Sequence, residues 1–359
     1  VTGGADDRRA RVERLLVAAR RLADPADPLG QRARAVLPRS TGLTPAGVDY
    51  ALTHCLETQP SEVELRALFA AVAPGARAHV LLSANVFVAA HRAIALALAS
   101  APHVEVRASR REPEMAELLH QGSGGVFRLV EELAPRPSDH VWAYGRDETL
   151  RALRGDLPAG VVLHAHGDGI GAAVLRVGER VGGTQLASVA RSVALDVIAF
   201  DQRGCLSPRV VFVSAGTEVA RELALSLARE LTALEQEVPR GELGDDELAA
   251  QAWYRATLEY VADYFPAGRG GVSFDPDGSG VIVPPGGRVV HVVRGEDPTV
   301  VLERLRPMLA AVGVAGPPDL WEAVRAAVPR ARVSPVGMMQ RPKLDGPVDR
   351  RPTAEGELL

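Results

Sequence analysis

Apolar side chains recur every three or four positions through the first seventy residues. Val12, Leu15, Leu16, Ala19 and Leu22 share one face between arginines, which predicts an amphipathic helix over residues 8–23. Asp24, Pro25 and Pro28 end it. Two further helices are expected at 48–56 and 62–72, and Pro74 with Gly75 closes this helical segment. From His79 the rhythm changes to short apolar runs alternating with helical stretches. Strands are expected at 80–82, 103–107, 141–144 and 161–164, and helices at 86–99, 112–121 and 147–153. A glycine turn (Gly167, Gly169, Gly171) follows. Such alternation implies βαβ units and a mostly parallel sheet, which binds ligands beyond the carboxyl ends of its strands.

The second half continues with a strand at 210–213 and a long helix at 218–238. Its apolar stripe is Val219, Leu223, Leu227, Leu231 and Leu234, with Thr217 as N-cap and Pro239 as the stop. A helix at 246–264 comes next, then strands near 272–274, 281–283 and 289–293. Two helices and a strand near 332–336 complete the pattern. Beyond Gln340 the chain is rich in Pro, Asp, Arg and Gly and is expected to be irregular.

At 359 residues the chain has room for two domains, or for one large α/β domain with an appendage. A net charge of −4 offers no electrostatic case for binding nucleic acid or a membrane surface. Residues 80–90 and 93–101 are apolar but interrupted by Ser83, Asn85, His91 and Arg92. Both fall short of the roughly 20 residues that span a bilayer. No apolar signal core follows Asp6, Asp7, Arg8 and Arg9. Only Cys55 and Cys205 are present, which suits a reducing compartment, so a cytoplasmic protein is expected.

Cys205 stands among Gly204, Ser207 and Pro208, between a helix and a strand. A thiol on such a loop is expected to be poorly buried, with mobile backbone around it, and open to a substrate. The plain alternative is a small apolar residue filling a gap, which is the reading for Cys55 on its helix. Asn85, at the end of the first strand of the βαβ region, can donate to an oxyanion or cap the helix that follows. Arg107 ends the next strand and is followed by Ser109, Arg110 and Arg111. This cluster suits a ribose phosphate or forms a solvated rim. Gly145 lets a cofactor approach the backbone or is a turn glycine. His164 and His166 have no third ligand nearby at metal spacing, so no metal is expected.

Taken together these segments resemble the acyl-CoA reductases of the bacterial bioluminescence fatty-acid-reductase (LuxC) type, within the aldehyde dehydrogenase superfamily. The specific stretches are Asp201-Gln202 with Cys205 and Ser207-Pro208, and Tyr144-Gly145 with Asp147-Glu148-Thr149. Supporting ones are Leu22–Pro25, Thr41–Leu43, residues 81–86, Pro239–Gly241 and residues 335–340. The resemblance implies an α/β, aldehyde-dehydrogenase-like fold with two Rossmann-like domains and a small oligomerisation element. The implied divisions are a helical segment at 1–75, a nucleotide-binding domain at 76–200, a catalytic domain at 201–335 and a tail at 336–359. It also implies reduction of a fatty acyl thioester, an acyl-CoA or an acyl-carrier conjugate, with NADPH (NADH being possible), by a homo-oligomer.

Carried over by position, Cys205 is the nucleophile and Asn85 an oxyanion donor beside the Cys205 backbone N–H. Arg107 stands where the superfamily has a cofactor-ribose lysine, and Gly145 and Thr149 begin the helix near the pyrophosphate. Ser83, Ser109, Arg110, Tyr144, His166 and Gly167 complete the implied cofactor contacts. His166, Gly167, Asp168 and Gly169 lie near where hydrolytic members carry a glutamate base; none stands there, which fits reduction. Two other readings stay open: an acyl-phosphate reductase, and a non-catalytic subunit of a biosynthetic complex.

Overall fold

The computed structural model describes residues 3–178, 182–258, 261–278 and 280–351. The chain divides into two compact units, residues 1–168 with 341–359, and residues 169–340.

In the first unit, α1 (Gly3–Ala23) buries Val12, Leu15, Leu16, Ala19 and Leu22, as the periodicity requires. A helix that the periodicity does not announce follows, α2 (Pro28–Thr41). Asp27 accepts the Leu29 amide at 2.8 Å and Pro28 occupies the first turn, so the residues taken as a stop are also a start. Next come α3 (Pro45–Tyr50), a single π-turn (Ala51–Cys55) that buries Cys55, and α4 (Glu62–Ala70).

The sheet of this unit is laid down by β1 (Arg77–Leu81), α5 (Ala89–Ser100), β2 (His103–Arg107), α6 (Glu114–Gly122), β3 (Arg128–Leu129), β4 (His140–Tyr144), α7 (Asp147–Asp156) and β5 (Val162–His166). Its order is β3-β2-β1-β4-β5 and every pairing is parallel. The chain winds outward in both directions from β1, which makes the carboxyl ends of β1 and β4 a topological switch point. The irregular residues 341–351 return to this unit. Buried Arg92 on α5 holds them, donating to the carbonyls of Pro342 (2.8 Å), Lys343 (2.7 Å) and Gly346 (2.6 Å) while pairing with Glu57. Burial alone would raise the Glu57 carboxyl, but Arg92 and His91 outweigh it and bring its pKa to about 2.

The second unit contains β6 (Ile170–Arg176), α8 (Gly183–Ile198), β7 (Pro208–Ser214), α9 (Thr217–Glu237), α10 (Asp245–Leu258), β8 (Asp263–Ala267), β9 (Gly270–Asp275), β10 (Val289–Arg294), α11 (Pro298–Leu305), β11 (Leu309–Ala315), α12 (Pro318–Ala327) and β12 (Arg332–Pro335). The strands run β12-β11-β6-β7-β10-β9-β8, parallel except for β8 at the edge. Val174, Val210, Val293, Val312, Leu320 and Val324 belong to a core packed on this sheet.

Several expectations are corrected here. Gly171 lies in a strand, not a turn, and β6, β8 and β11 have no counterpart in the periodicity. The runs Ile170–Arg176 and Leu309–Ala315 are rich in Ala and Gly, poor strand formers, and a fully buried strand shows no alternation. Residues 281–283 are not a strand. The cap of α9 is Gly216 rather than Thr217, with no side-chain bond. The helix expected at 246–264 ends at Leu258, and residues 259–260 lie outside the described residues. The two compact units divide at 168/169, with β6 and α8 in the second.

Candidate active site

In the second unit, residues 199–207 carry the chain from α8 to β7. Phe200, Asp201 and Gln202 adopt φ of 53°, 52° and 66°, the left-handed region that side chains with a Cβ rarely occupy. Such a run persists only if its surroundings hold it. Gln202 Nε2 donates to the carbonyls of Pro208 and Val289, both at 2.8 Å, and its Oε1 accepts the Val289 amide at 2.9 Å. Asp201 Oδ1 accepts from Arg288 Nε (3.1 Å) and Nη2 (2.8 Å), and its Oδ2 accepts the Gly241 amide at 3.0 Å. Arg288 also binds Glu235 at 2.9 Å and the Val238 carbonyl at 2.7 Å. Removing one member of so buried a charge cluster typically costs ~3–5 kcal/mol.

On the far side of the thiol, Ser207 N donates to the Gly204 carbonyl at 3.1 Å and the Ser207 carbonyl accepts the Gly171 amide at 3.0 Å. A Cβ at Gly171 would overlap the Leu206 carbonyl, so this close approach of β6 needs glycine. Ser207 Oγ accepts from Gln340 Nε2 at 3.2 Å, and the same nitrogen donates to the Asp196 carbonyl at 3.0 Å. The Asp196 carboxyl accepts the amides of Gly337 (2.5 Å) and Met339 (2.9 Å). Burial raises its pKa to about 7, against the opposing pull of those amides. Cys205 is half-buried at the tip of this laced loop, and neither it nor Cys55 is in a disulfide. The backbone beside the thiol is therefore pinned where the sequence suggested mobility.

In the first unit, β1 ends at Leu81, four residues before Asn85, and Leu82 N continues the ladder to the Arg107 carbonyl at 3.0 Å. Asn85 lies exposed on the bend that follows. It caps nothing, since the N-cap of α5 is Val88. Its Oδ1 accepts from Arg111 Nη2 at 2.7 Å, so the amide oxygen is engaged within this unit. Ser83 is half-buried on the same bend.

Arg107, Ser109 and Arg110 come together in a cleft of about 500 Å³ at the carboxyl ends of β2 and β3. Glu117, Glu131 and Glu132 line its other side. Guanidinium groups suit a phosphate and carboxylates suit ribose hydroxyls, so the cleft fits the ribose end of a nicotinamide dinucleotide. The start of α7 fits the pyrophosphate less well. Asp147 N donates to Asp168 Oδ2 at 3.2 Å and Asp168 N to Asp147 Oδ1 at 2.9 Å, so carboxylates already hold that end. Gly145 is half-buried there and Thr149 exposed. Gly167 is required by the same pairing, because a Cβ would overlap the Asp147 carboxyl.

His166 is the last residue of β5, on the same strand as His164. Its ring is stacked 4.6 Å from Tyr144 and 5.9 Å from Trp142, and His164 stacks 3.8 Å from Trp142. His164 also meets His140 at 3.0 Å. Burial lowers the pKa of His166 to about 4, Asp349 opposing and Arg351 assisting. It does the same for His164, reinforced by His140 and His166. Both rings are thus neutral at ordinary pH.

Arg288, Asp196, Gln340 and Arg111 were not singled out from the sequence for the roles they take here. The Arg288–Asp201 contact spans 87 positions and the Gln340–Ser207 contact 133, so no local spacing reveals them.

The profile of the acyl-CoA reductase (LuxC) family matches residues 128–349. No curated protein matches the sequence. Among solved structures, the fold is similar to an oxidoreductase from Marinobacter aquaeolei, with TM-score 0.68 and 14% identity over 95% of this chain and 82% of the other. HpcC from Thermus thermophilus gives 0.64 and 15% over 92% and 74%. A mutant aldehyde dehydrogenase C from Pseudomonas syringae, solved with NAD+ and octanal, gives 0.63 and 15% over 93% and 78%. At these identities the likeness establishes an aldehyde-dehydrogenase-like α/β fold.

Proposed function

Since the chain belongs to the acyl-CoA reductase (LuxC) family and is an oxidoreductase acting on acyl and aldehyde groups, we propose that it reduces a fatty acyl-CoA to the aldehyde with NADPH, through a thioacyl intermediate on Cys205. The observation that carries this reading is the half-buried thiol at the tip of a loop whose two ends are hydrogen-bonded in place. A nucleophile held in one geometry meets the orientational demand of acyl transfer.

The Cys205 thiolate adds to the thioester carbonyl carbon. The carbon–sulfur bond to coenzyme A then breaks, and the departing thiolate takes a proton. Asn85 is the donor we assign to the oxyanion of that addition, supported by Arg111 engaging its amide oxygen, so that the amide nitrogen is the group left to donate. A donor in this role is typically worth about 3–4 kcal/mol. The nicotinamide cofactor, when bound, supplies the hydride that the thioacyl carbon accepts. Collapse of the resulting thiohemiacetal forms the aldehyde and returns the Cys205 thiolate.

Arg107, Ser109 and Arg110 are the residues we assign to the cofactor ribose phosphate. The unit also lacks a glutamate at 166–169, and Asp168 is engaged in capping α7 rather than in activating water. This supports acyl reduction over aldehyde oxidation. We further assign the chain to the cytoplasm and to a homo-oligomer. The second assignment is supported by exposed apolar side chains on α10, where Trp253 is 77% and Leu248 49% accessible.

The test is NADPH consumption with acyl-CoA esters of increasing length, with acyl phosphates run alongside. Cys205→Ala should abolish turnover and the retention of radiolabelled acyl group on the protein. A labelled Cys205→Ala enzyme would refute the intermediate.

A further inference from the structure

Four residues with side chains take left-handed backbone angles around the nucleophile loop: Phe200, Asp201 and Gln202, and Arg288 with φ of 66°. They are bonded to one another rather than scattered. Arg288 grips Asp201 with two nitrogens, and Gln202 brackets Val289, the residue after Arg288, through both its amide and its carbonyl. Gln202 also reaches across to Pro208, so the base of the loop is closed as a ring below Cys205.

Resting on the function proposed above, we infer that Arg288 is a positioning residue for the reaction: through Asp201 it holds the left-handed turn that presents the Cys205 thiol. Three observations carry this. The guanidinium is buried, and each of its three nitrogens donates, to Asp201, Glu235 or the Val238 carbonyl. Its charge is also met locally by two carboxylates. Asp201 and Glu235 face Arg288 and Arg240, with the Arg240 amide on Glu235 and its guanidinium on the Gly287 carbonyl. A buried charge cluster is often replaceable by apolar packing at similar stability, so the role we assign to this one is to hold a single geometry. Finally, the unfavourable angles fall immediately before the thiol and nowhere else in residues 182–258, where strain at a functional turn is expected to concentrate.

The experiment uses the full chain, with Arg288→Lys and Asp201→Asn as the variants. Lysine keeps the charge and loses the planar fork, while asparagine keeps the shape and weakens the grip. Three quantities are measured: thermal unfolding by circular dichroism, the rate of Cys205 alkylation by iodoacetamide read by mass spectrometry against buried Cys55, and kcat and KM with acyl-CoA. Folded variants should show a Cys205 alkylation rate changed several-fold and kcat reduced by roughly ten- to a hundredfold, with KM for the acyl-CoA little altered.

Folded variants with wild-type alkylation and wild-type kcat would overturn the inference. So would loss of the fold in both variants, since the clamp would then serve folding alone. If the wild-type chain reduces no acyl thioester yet its Cys205 reactivity still follows the clamp, the reaction assignment fails while the positioning role stands.

Discussion

His166 shows how a residue's environment can set its protonation and with it a property of the whole chain. Stacked in β5 beside Tyr144, it stays neutral in the folded state to about pH 4, while an unfolded histidine takes its proton near 6.5. Between those values the unfolded chain binds more protons, so stability is fully present above pH 6.5 and is lost as pH falls toward 4. His164 acts in the same direction. His166→Phe keeps a ring for Tyr144 to stack on and removes one titration. The variant should lose less stability over that range, by at most about 3 kcal/mol, in urea melts at stepped pH. An unchanged acid slope would mean the ring is not held neutral by its site. Cys205, Asn85 and Arg107 could be proposed from the sequence one residue at a time, because each proposal rests on the residue's own type and on its place at the edge of a strand. Arg111 was counted only with the basic cluster, because its pairing with Asn85 depends on how the bend after β1 folds back.

Elements decide what the thiol can do. β6 approaches the Cys205 loop so closely that Gly171 cannot carry a side chain, and α8 ends where the left-handed turn begins. Gly171→Ala should push on Leu206, with a stability loss on the order of 1–3 kcal/mol and a larger fall in kcat than in acyl-CoA binding. Calorimetry combined with steady-state kinetics reads both. A variant with full activity would show that β6 does not constrain the loop. β6, with Gly171, Ala172 and Ala173 in succession, was invisible as a strand for a related reason. A buried central strand with small side chains has neither alternation nor β-branched enrichment to mark it. Amphipathic α1 and the stripe of α9 were legible because each exposes one face to water.

At the scale of the molecule, each unit has its own sheet, wholly parallel in the first and parallel but for β8 in the second, and among the described residues no helix is long and apolar enough to cross a membrane. If the cleft holding Arg107 and Arg110 takes NADPH, the ligand must stabilise the folded chain by mass action. The gain is about 2.7 kcal/mol at a hundred times Kd, seen as a rise in Tm. Substituting both arginines by serine should remove most of the NADPH-induced rise and leave a smaller response to NADH, as read by differential scanning fluorimetry. Equal shifts in wild type and double variant would place the phosphate elsewhere.

Alternating helix and strand periods, the loop thiol and the spacing of the signature stretches were enough to specify an α/β enzyme of this family. Those are local properties, carried by residues within one or two turns of each other. The lacing of the Cys205 loop by Arg288 and Gln340, the pairing of β6 with the strand that follows that loop and the neutral stack around His166 required the folded chain. Each depends on burial and on partners remote in sequence, and desolvation strengthens such contacts only once packing has excluded water.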